Sequence, residues 1–206
     1  MKSTFVLAAF ASGALAQIYN QSSVPFRLFL KSDNETLNGQ SLGACHQGAA
    51  IEGLCPSGHT REDGAEDYNT FYQQTALEPV YNLPDNDTYG PLVWNLTVNG
   101  GEIVPSYMTM DPYIDSNIVN PTFGPGNSSF TSVAFTAGGC MYNPVWLDDT
   151  VSPPVFLDEA KKVENWYTCL TRTNYLYVTL SWKIGLTGEP QNPSCERALV
   201  IREFVE

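Results

Sequence analysis

Positive charge is scarce in this chain. Ten Lys and Arg stand against twenty-two Asp and Glu, a formal net charge of −12 at pH 7. Such a surface repels nucleic acid and anionic lipid, so neither is expected as a partner. Histidine is nearly missing, with only His46 and His59. Two imidazoles, beside cysteines better used as disulfides, are too few for a zinc site. The spacing Asp111-x-x-x-Asp115-x-Asn117 imitates a calcium loop, yet Tyr113 sits at a ligand position and the required Gly and terminal Glu are missing. No metal and no cofactor is therefore expected. The chain has no G-x-S-x-G elbow, which argues against a serine hydrolase. It also lacks internal repeats, low-complexity linkers and, after its N-terminal region, any apolar block that would suggest a membrane span. The stretch from Leu199 to Glu206 carries Arg202, Glu203 and Glu206 rather than the apolar tail a lipid-anchor signal requires.

What is present begins at the N-terminus. Met1-Lys2, an apolar run from Phe5 through Leu15, and small residues at Ala14 and Ala16 ahead of Gln17 read as a secretory signal covering residues 1–16. Residues 17–206 are then expected to form one secreted domain, a size that can bury its own core. Five Asn-x-Ser/Thr sequons follow, at Asn20, Asn34, Asn86, Asn95 and Asn127, most of them in polar, turn-rich surroundings. A sugar at Asn95 would require the strand face it shares with Val93 and Thr97 to be open to solvent. In an oxidising compartment Cys45, Cys55, Cys140, Cys169 and Cys195 default to disulfides, and the odd count leaves one over. Cys45 and Cys55 bracket a compact loop and Cys169 and Cys195 flank two late strands, which favours those pairs and leaves Cys140 spare. Spacing alone does not fix connectivity, and the other pairings stay open.

The dominant hydrophobic period is two, punctuated by turn residues about every ten positions. That pattern predicts an all-β domain: an antiparallel β-sandwich or β-barrel of about ten short strands, stabilised by disulfides. Strands are expected at Phe26 to Lys31, around Phe71-Tyr72, at Pro91 to Val98 and Ile103 to Met110 across an Asn99-Gly100-Gly101 turn, at Asn117 to Phe123, at Ser129 to Ala137, and from Cys140 to Leu147. Leu176, Val178, Leu180, Trp182 and Ile184 alternate with Tyr175, Tyr177, Thr179, Ser181 and Lys183, giving one core face and one wetted face. Leu199 to Val205 reads as the last strand. Asp158 to Trp166, capped by Asp158 and rich in helix formers, is expected to form a turn or two of helix.

Three motifs carry a family resemblance: the run Ala44-Cys45-His46-Gln47-Gly48-Ala49-Ala50-Ile51-Glu52-Gly53-Leu54-Cys55, the downstream Asn165-Trp166-Tyr167-Thr168-Cys169, and Pro190-Gln191-Asn192-Pro193-Ser194-Cys195. Together with Asp148-Asp149-Thr150 they resemble a family of small secreted filamentous-fungal proteins without an assigned biochemical function. The resemblance covers nearly the whole mature chain. It implies an extracellular all-β domain, supports the pairs Cys45 with Cys55 and Cys169 with Cys195, and transfers no catalytic residue. Cys140 departs from that family's pattern.

Each candidate site residue has a plain structural alternative. His46 adjoins a disulfide and a Gly48-Ala49-Ala50 turn, and is more simply a side chain bonded within that loop. His59 reads as part of a solvated polar loop. Paired carboxylates would suit a glycoside hydrolase. Asp148-Asp149 is the most notable pair, but neighbours on a strand point to opposite faces, and an Asx turn ending the strand explains them better. Glu52, enclosed by the first cysteine pair, is the other rigid carboxylate. Tyr175 and Tyr177 face outward side by side, with Tyr167 across the hairpin, a set that would stack on sugar rings; the plain alternative is the abundance of Tyr in strands. The leading expectation is a non-catalytic module that binds a cell-wall polysaccharide or a surface protein. The alternative is an acid-acting secreted hydrolase using Glu52 with Asp148 or Asp149.

Overall fold

A computed structural model describes residues 19–77, 82–126 and 129–205. Residues 1–16, read as a secretory signal, and the sequon at Asn127 lie outside the described residues. Fifteen strands occur among the described residues: β1 (Tyr19–Ser22), β2 (Phe26–Ser32), β3 (Leu42–Gly48), β4 (Ile51–Pro56), β5 (Phe71–Ala76), β6 (Thr88–Thr97), β7 (Ile103–Thr109), β8 (Ile118–Val119), β9 (Thr122–Pro125), β10 (Ser132–Phe135), β11 (Met141–Asp148), β12 (Val155–Val163), β13 (Trp166–Arg172), β14 (Leu176–Lys183) and β15 (Glu196–Phe204). Two short 3-10 turns at Asp67–Asn69 and Pro84–Asn86 are the helical elements among these residues. The fold is all-β and antiparallel, as the period-two patterning predicts.

The strands pair in the order β3-β4-β9-β7-β6-β5-β2-β15-β13-β14-β8, with β10, β11 and β12 branching from β6. One edge of β2 pairs with β15 from Phe26↔Phe204 to Ser32↔Ala198. Its other edge meets both ends of the preceding arc, through Phe26↔Phe71 on β5 and the bridge Phe29↔Ser41 just ahead of β3. The sheet therefore curls back on itself around a core. That core gathers Phe26, Leu28, Leu30, Phe71, Trp94, Met108, Phe123, Phe135, Trp166, Leu180 and Val200. Alternate residues of β2 and β15 contribute to it as period two requires. Both expected disulfides form, Cys45–Cys55 and Cys169–Cys195, and Cys140 is free.

Three local expectations are corrected. Asp158 to Trp166 is not helical: β12 extends to Val163 and pairs with β11 from Asn143↔Val163 to Asp148↔Val155. Backbone bonds to a neighbouring strand override the weak helical preference of Glu, Ala and Lys. Asn117 to Phe123 is two strands, β8 and β9, interrupted at Asn120-Pro121, where proline has no N–H to continue a ladder. The predicted inner face of β14 is core only at Leu180 and, in part, Trp182, with Leu176, Val178 and Ile184 exposed, and the predicted wetted face is open only at Tyr175 and Tyr177, with Thr179, Ser181 and Lys183 buried. On β6, Val93 is buried, Asn95 half-buried and Thr97 exposed, so the face that Asn95 shares opens only toward the end of the strand.

Candidate functional site

Two hairpin tips meet on one side of the molecule. The first is β3–β4, where Gly48 pairs with Ile51 across Ala49-Ala50 and the Cys45–Cys55 disulfide ties the two strands. Gly48 and Ala50 both adopt positive φ, which turns the chain sharply. The second tip is β13–β14, with Thr171 opposite Tyr177 and Arg172 opposite Leu176. Gln47 joins them. Its side chain is 4 % exposed, its Oε1 accepts from the Thr173 hydroxyl, and its backbone carbonyl accepts from Asn174 Nδ2 at 2.6 Å. The contact is close enough that a Cβ at Gly48 would lie 2.7 Å from Asn174 Nδ2.

That junction places several of the predicted residues together. His46 Nδ1 lies 3.2 Å from Glu52 Oε1, directly across the β3–β4 ladder. The carboxylate is largely covered while the imidazole is exposed, so Glu52 orients the ring and leaves its other edge to solvent. The His46 ring packs on Tyr175 with centroids 5.6 Å apart. Tyr175 and Tyr177 follow at 5.9 Å, their planes 35° apart, and both rings are partly open to water. One carboxylate, one imidazole and two phenol rings thus line a single ridge. Aromatic faces beside hydrogen-bonding groups suit a sugar, whose C–H face stacks while its hydroxyls bond. The reverse side of the hairpin tip is apolar, with Leu170, Leu176 and Val178 exposed.

The other predicted residues stand apart from this ridge. Tyr167 faces the same side of the hairpin, but four residues from Thr171 along β13, about 13 Å at strand rise. It is 5 % exposed, packs with Ile118 and the Cys169–Cys195 bridge, and donates its hydroxyl to Glu189. Asp148 ends β11 in an Asx turn, its Oδ1 accepting from the Thr150 amide at 3.0 Å and hydroxyl at 2.6 Å. Those two bonds hold its carboxyl below the usual range. Asp149 follows as an exposed turn residue. His59 packs edge-on against Tyr68. Among the described residues no cluster of His, Cys, Asp and Glu could hold a metal ion.

Of the sequons, Asn20 is exposed on β1. Asn34 forms an Asx turn with Thr36 and donates Nδ2 to Glu196, so a sugar there would displace that bond. The side chain of Asn86 is outside what is described.

A family model described as a domain of unknown function (DUF7907) matches residues 23–204. The chain belongs to that family. No curated protein and no solved structure matches it. The match extends from the segment before β2 to the end of β15, so both hairpin tips and both disulfides lie inside the family domain.

Sequence reasoning missed the residues that build the junction. Gln47 and Asn174 look like ordinary polar positions, and only their proximity in the fold gives them a role. Gly48 carried a signal, since a glycine in a strand-turn context marks a positive φ or a close approach.

Proposed function

We propose that this is a secreted, non-catalytic binding module that recognises a cell-wall or surface polysaccharide along the ridge of Tyr175, Tyr177, His46 and Glu52. The observation that carries this reading is the pair of partly exposed, tilted tyrosine rings 5.9 Å apart, flanked by an imidazole that a carboxylate holds in place. Two disulfides and a signal-like N-terminus support secretion, and no helix among the described residues is long and apolar enough to cross a membrane. The sequons support a glycoprotein, and the cysteine motifs support a fungal source.

Binding is favoured over hydrolysis by what surrounds Glu52. Its partner is His46, whose ring packs on Tyr175, while Asp148 is committed to its own turn. The test is depletion of the mature chain from solution by insoluble chitin, β-glucan, cellulose and xylan at acidic pH. Saturable depletion by one polymer is expected, with loss of about tenfold or more in the Tyr175→Ala, Tyr177→Ala double variant, since each ring contributes on the order of 1 kcal/mol. The melting temperature should stay nearly unchanged, because both rings are surface groups. Failure of every polymer to deplete the protein would refute the reading.

A further inference from the structure

Near the C-terminal end of β15, a recess of about 170 Å³ lies against the start of β2. Its walls are of two kinds. Phe29, Phe204 and Val205 are apolar, whereas Arg27 and Arg61 bring two guanidinium groups to the same space. Both guanidiniums sit over the Phe29 ring, at 4.8 Å for Arg27 and 4.5 Å for Arg61. In a chain with so few cations, two arginines on one ring are a concentrated positive feature.

The arginines differ in how they are satisfied. Arg61 lies in an ion pair with Glu203, its Nε donating to both carboxylate oxygens at 2.7 and 2.9 Å. Arg27 is 6 % exposed and donates to two backbone carbonyls, Nη1 to Asp63 at 2.6 Å and Nη2 to Thr60 at 3.0 Å. Its Nε is buried without a hydrogen-bond partner. The Asp63 carboxylate acts on Arg27 through space, but the hydrogen bonds of the guanidinium go to neutral carbonyls and leave one buried N–H donor unsatisfied. Glu203 stands opposite Arg27 across the β15–β2 ladder, yet its carboxylate is engaged by Arg61.

We propose that this recess is a binding site for a small monocarboxylate with an apolar body. The carboxylate would bond Arg27 and Arg61, and the body would lie against Phe29, Phe204 and Val205. Size sets one limit, since a cavity of about 150 Å³ accepts a benzene ring. Charge sets another: Glu203 pairs with Arg61 and the Asp63 carboxylate acts on Arg27, so little net positive charge remains, which suits a monoanion better than a phosphate dianion. The site is separate from the tyrosine ridge and does not depend on the polysaccharide reading.

The test is an NMR titration of the protein with sodium benzoate, benzyl alcohol and inorganic phosphate at constant ionic strength. The backbone amides of Phe29, Phe204 and Val205 and the Arg27 Nε–H are followed. Benzoate should shift these signals saturably, with phosphate and benzyl alcohol at least about tenfold weaker, because a charge-assisted bond to arginine contributes about that much. Arg61→Gln should weaken benzoate binding. Glu203→Gln, which leaves the shape of the recess intact while removing the opposing charge, should tighten it about threefold or more. The proposal is overturned if benzoate gives no saturable shift, if benzyl alcohol matches it, if phosphate outcompetes it, or if Glu203→Gln leaves the affinity unchanged.

Discussion

Cys140 shows how neighbours decide a residue's chemistry. Burial first, and then the Glu164 carboxylate that accepts its thiol at 3.1 Å, push its pKa up to about 12. The thiolate is the reactive form, and at pH 8 it is then only about one part in ten thousand. Alkylation by iodoacetamide at pH 8 should run about a thousandfold slower than for a free cysteine, and Glu164→Gln should recover part of that rate. Mass spectrometry of the time course would show it; rapid labelling of the native protein would contradict the assignment. Sequence supplied the leftover status of Cys140 but not its inertness, because Glu164 approaches it only through the packing of β11, β13 and β15. A second residue works against its own backbone. Ala50 holds φ +57° at the β3–β4 turn, a left-handed conformation that costs a residue with a Cβ about 1 kcal/mol or more. Glycine removes that cost but adds entropy to the unfolded chain, so Ala50→Gly should stabilise by up to about 1 kcal/mol, read as a higher urea midpoint.

Strands are legible in this sequence where one face is buried and the other wet. Phe26 to Lys31 and the hairpin around Asn99-Gly100-Gly101 were readable because alternation and turn glycines agree. Asp158 to Trp166 was not, since its identity comes from the β11 edge beside it. The tyrosine ridge was half legible: alternation put Tyr175 and Tyr177 on an outer face, but their meeting with His46 and Glu52 depends on Gln47 and Asn174 bringing two distant hairpins together. A similar long-range tie anchors the 3-10 turn at Pro84–Asn86. Lys162 of β12 reaches Asp87 at 2.7 Å and Asp85 at 2.9 Å, and the Tyr142 hydroxyl donates to Asp87 at 2.8 Å. Asp87 is 1 % exposed and Asp85 is 78 % exposed, which sets their relative weight. Lys162→Ala strands a covered carboxylate and should cost about 2 kcal/mol. Asp85→Asn removes only a solvated pair and keeps a side chain that tolerates the left-handed φ of 56° there, so it should cost less than about 0.5 kcal/mol. Equal losses in denaturant melts would mean that Asp87 is not the anchor.

At the scale of the whole molecule, the titrating groups make alkali the weak side. Burial and the Asp87 bond raise the Tyr142 hydroxyl well above its usual range, and the bonds to Asp87 and Asp85 raise Lys162. Cys140 is raised too, to about 12. In each case the folded chain keeps a proton that the unfolded chain releases, near pH 8.5 for Cys and about pH 10 for Tyr and Lys. The folded state then binds more protons, so stability falls as pH rises, at up to about 1.4 kcal/mol per pH unit for each such group. Arg202 has the opposite sign. Burial against Phe26, Phe135 and Phe204 lowers it to about 10, so its desolvation cost is relieved above that pH and offsets part of the loss. Burial raises the Tyr68 hydroxyl as well, so four groups against one leave a net decline, beginning with Cys140 before the others titrate. Unfolding free energies from urea melts should therefore be lower at pH 9.5 than at pH 7. Cys140→Ala should shrink that difference by about 0.5–1 kcal/mol once solvent screening of a half-buried thiol is allowed for. A variant that loses stability between pH 7 and 9.5 as steeply as the parent would remove Cys140 from this role and assign the early alkaline loss to repulsion among the chain's excess carboxylates.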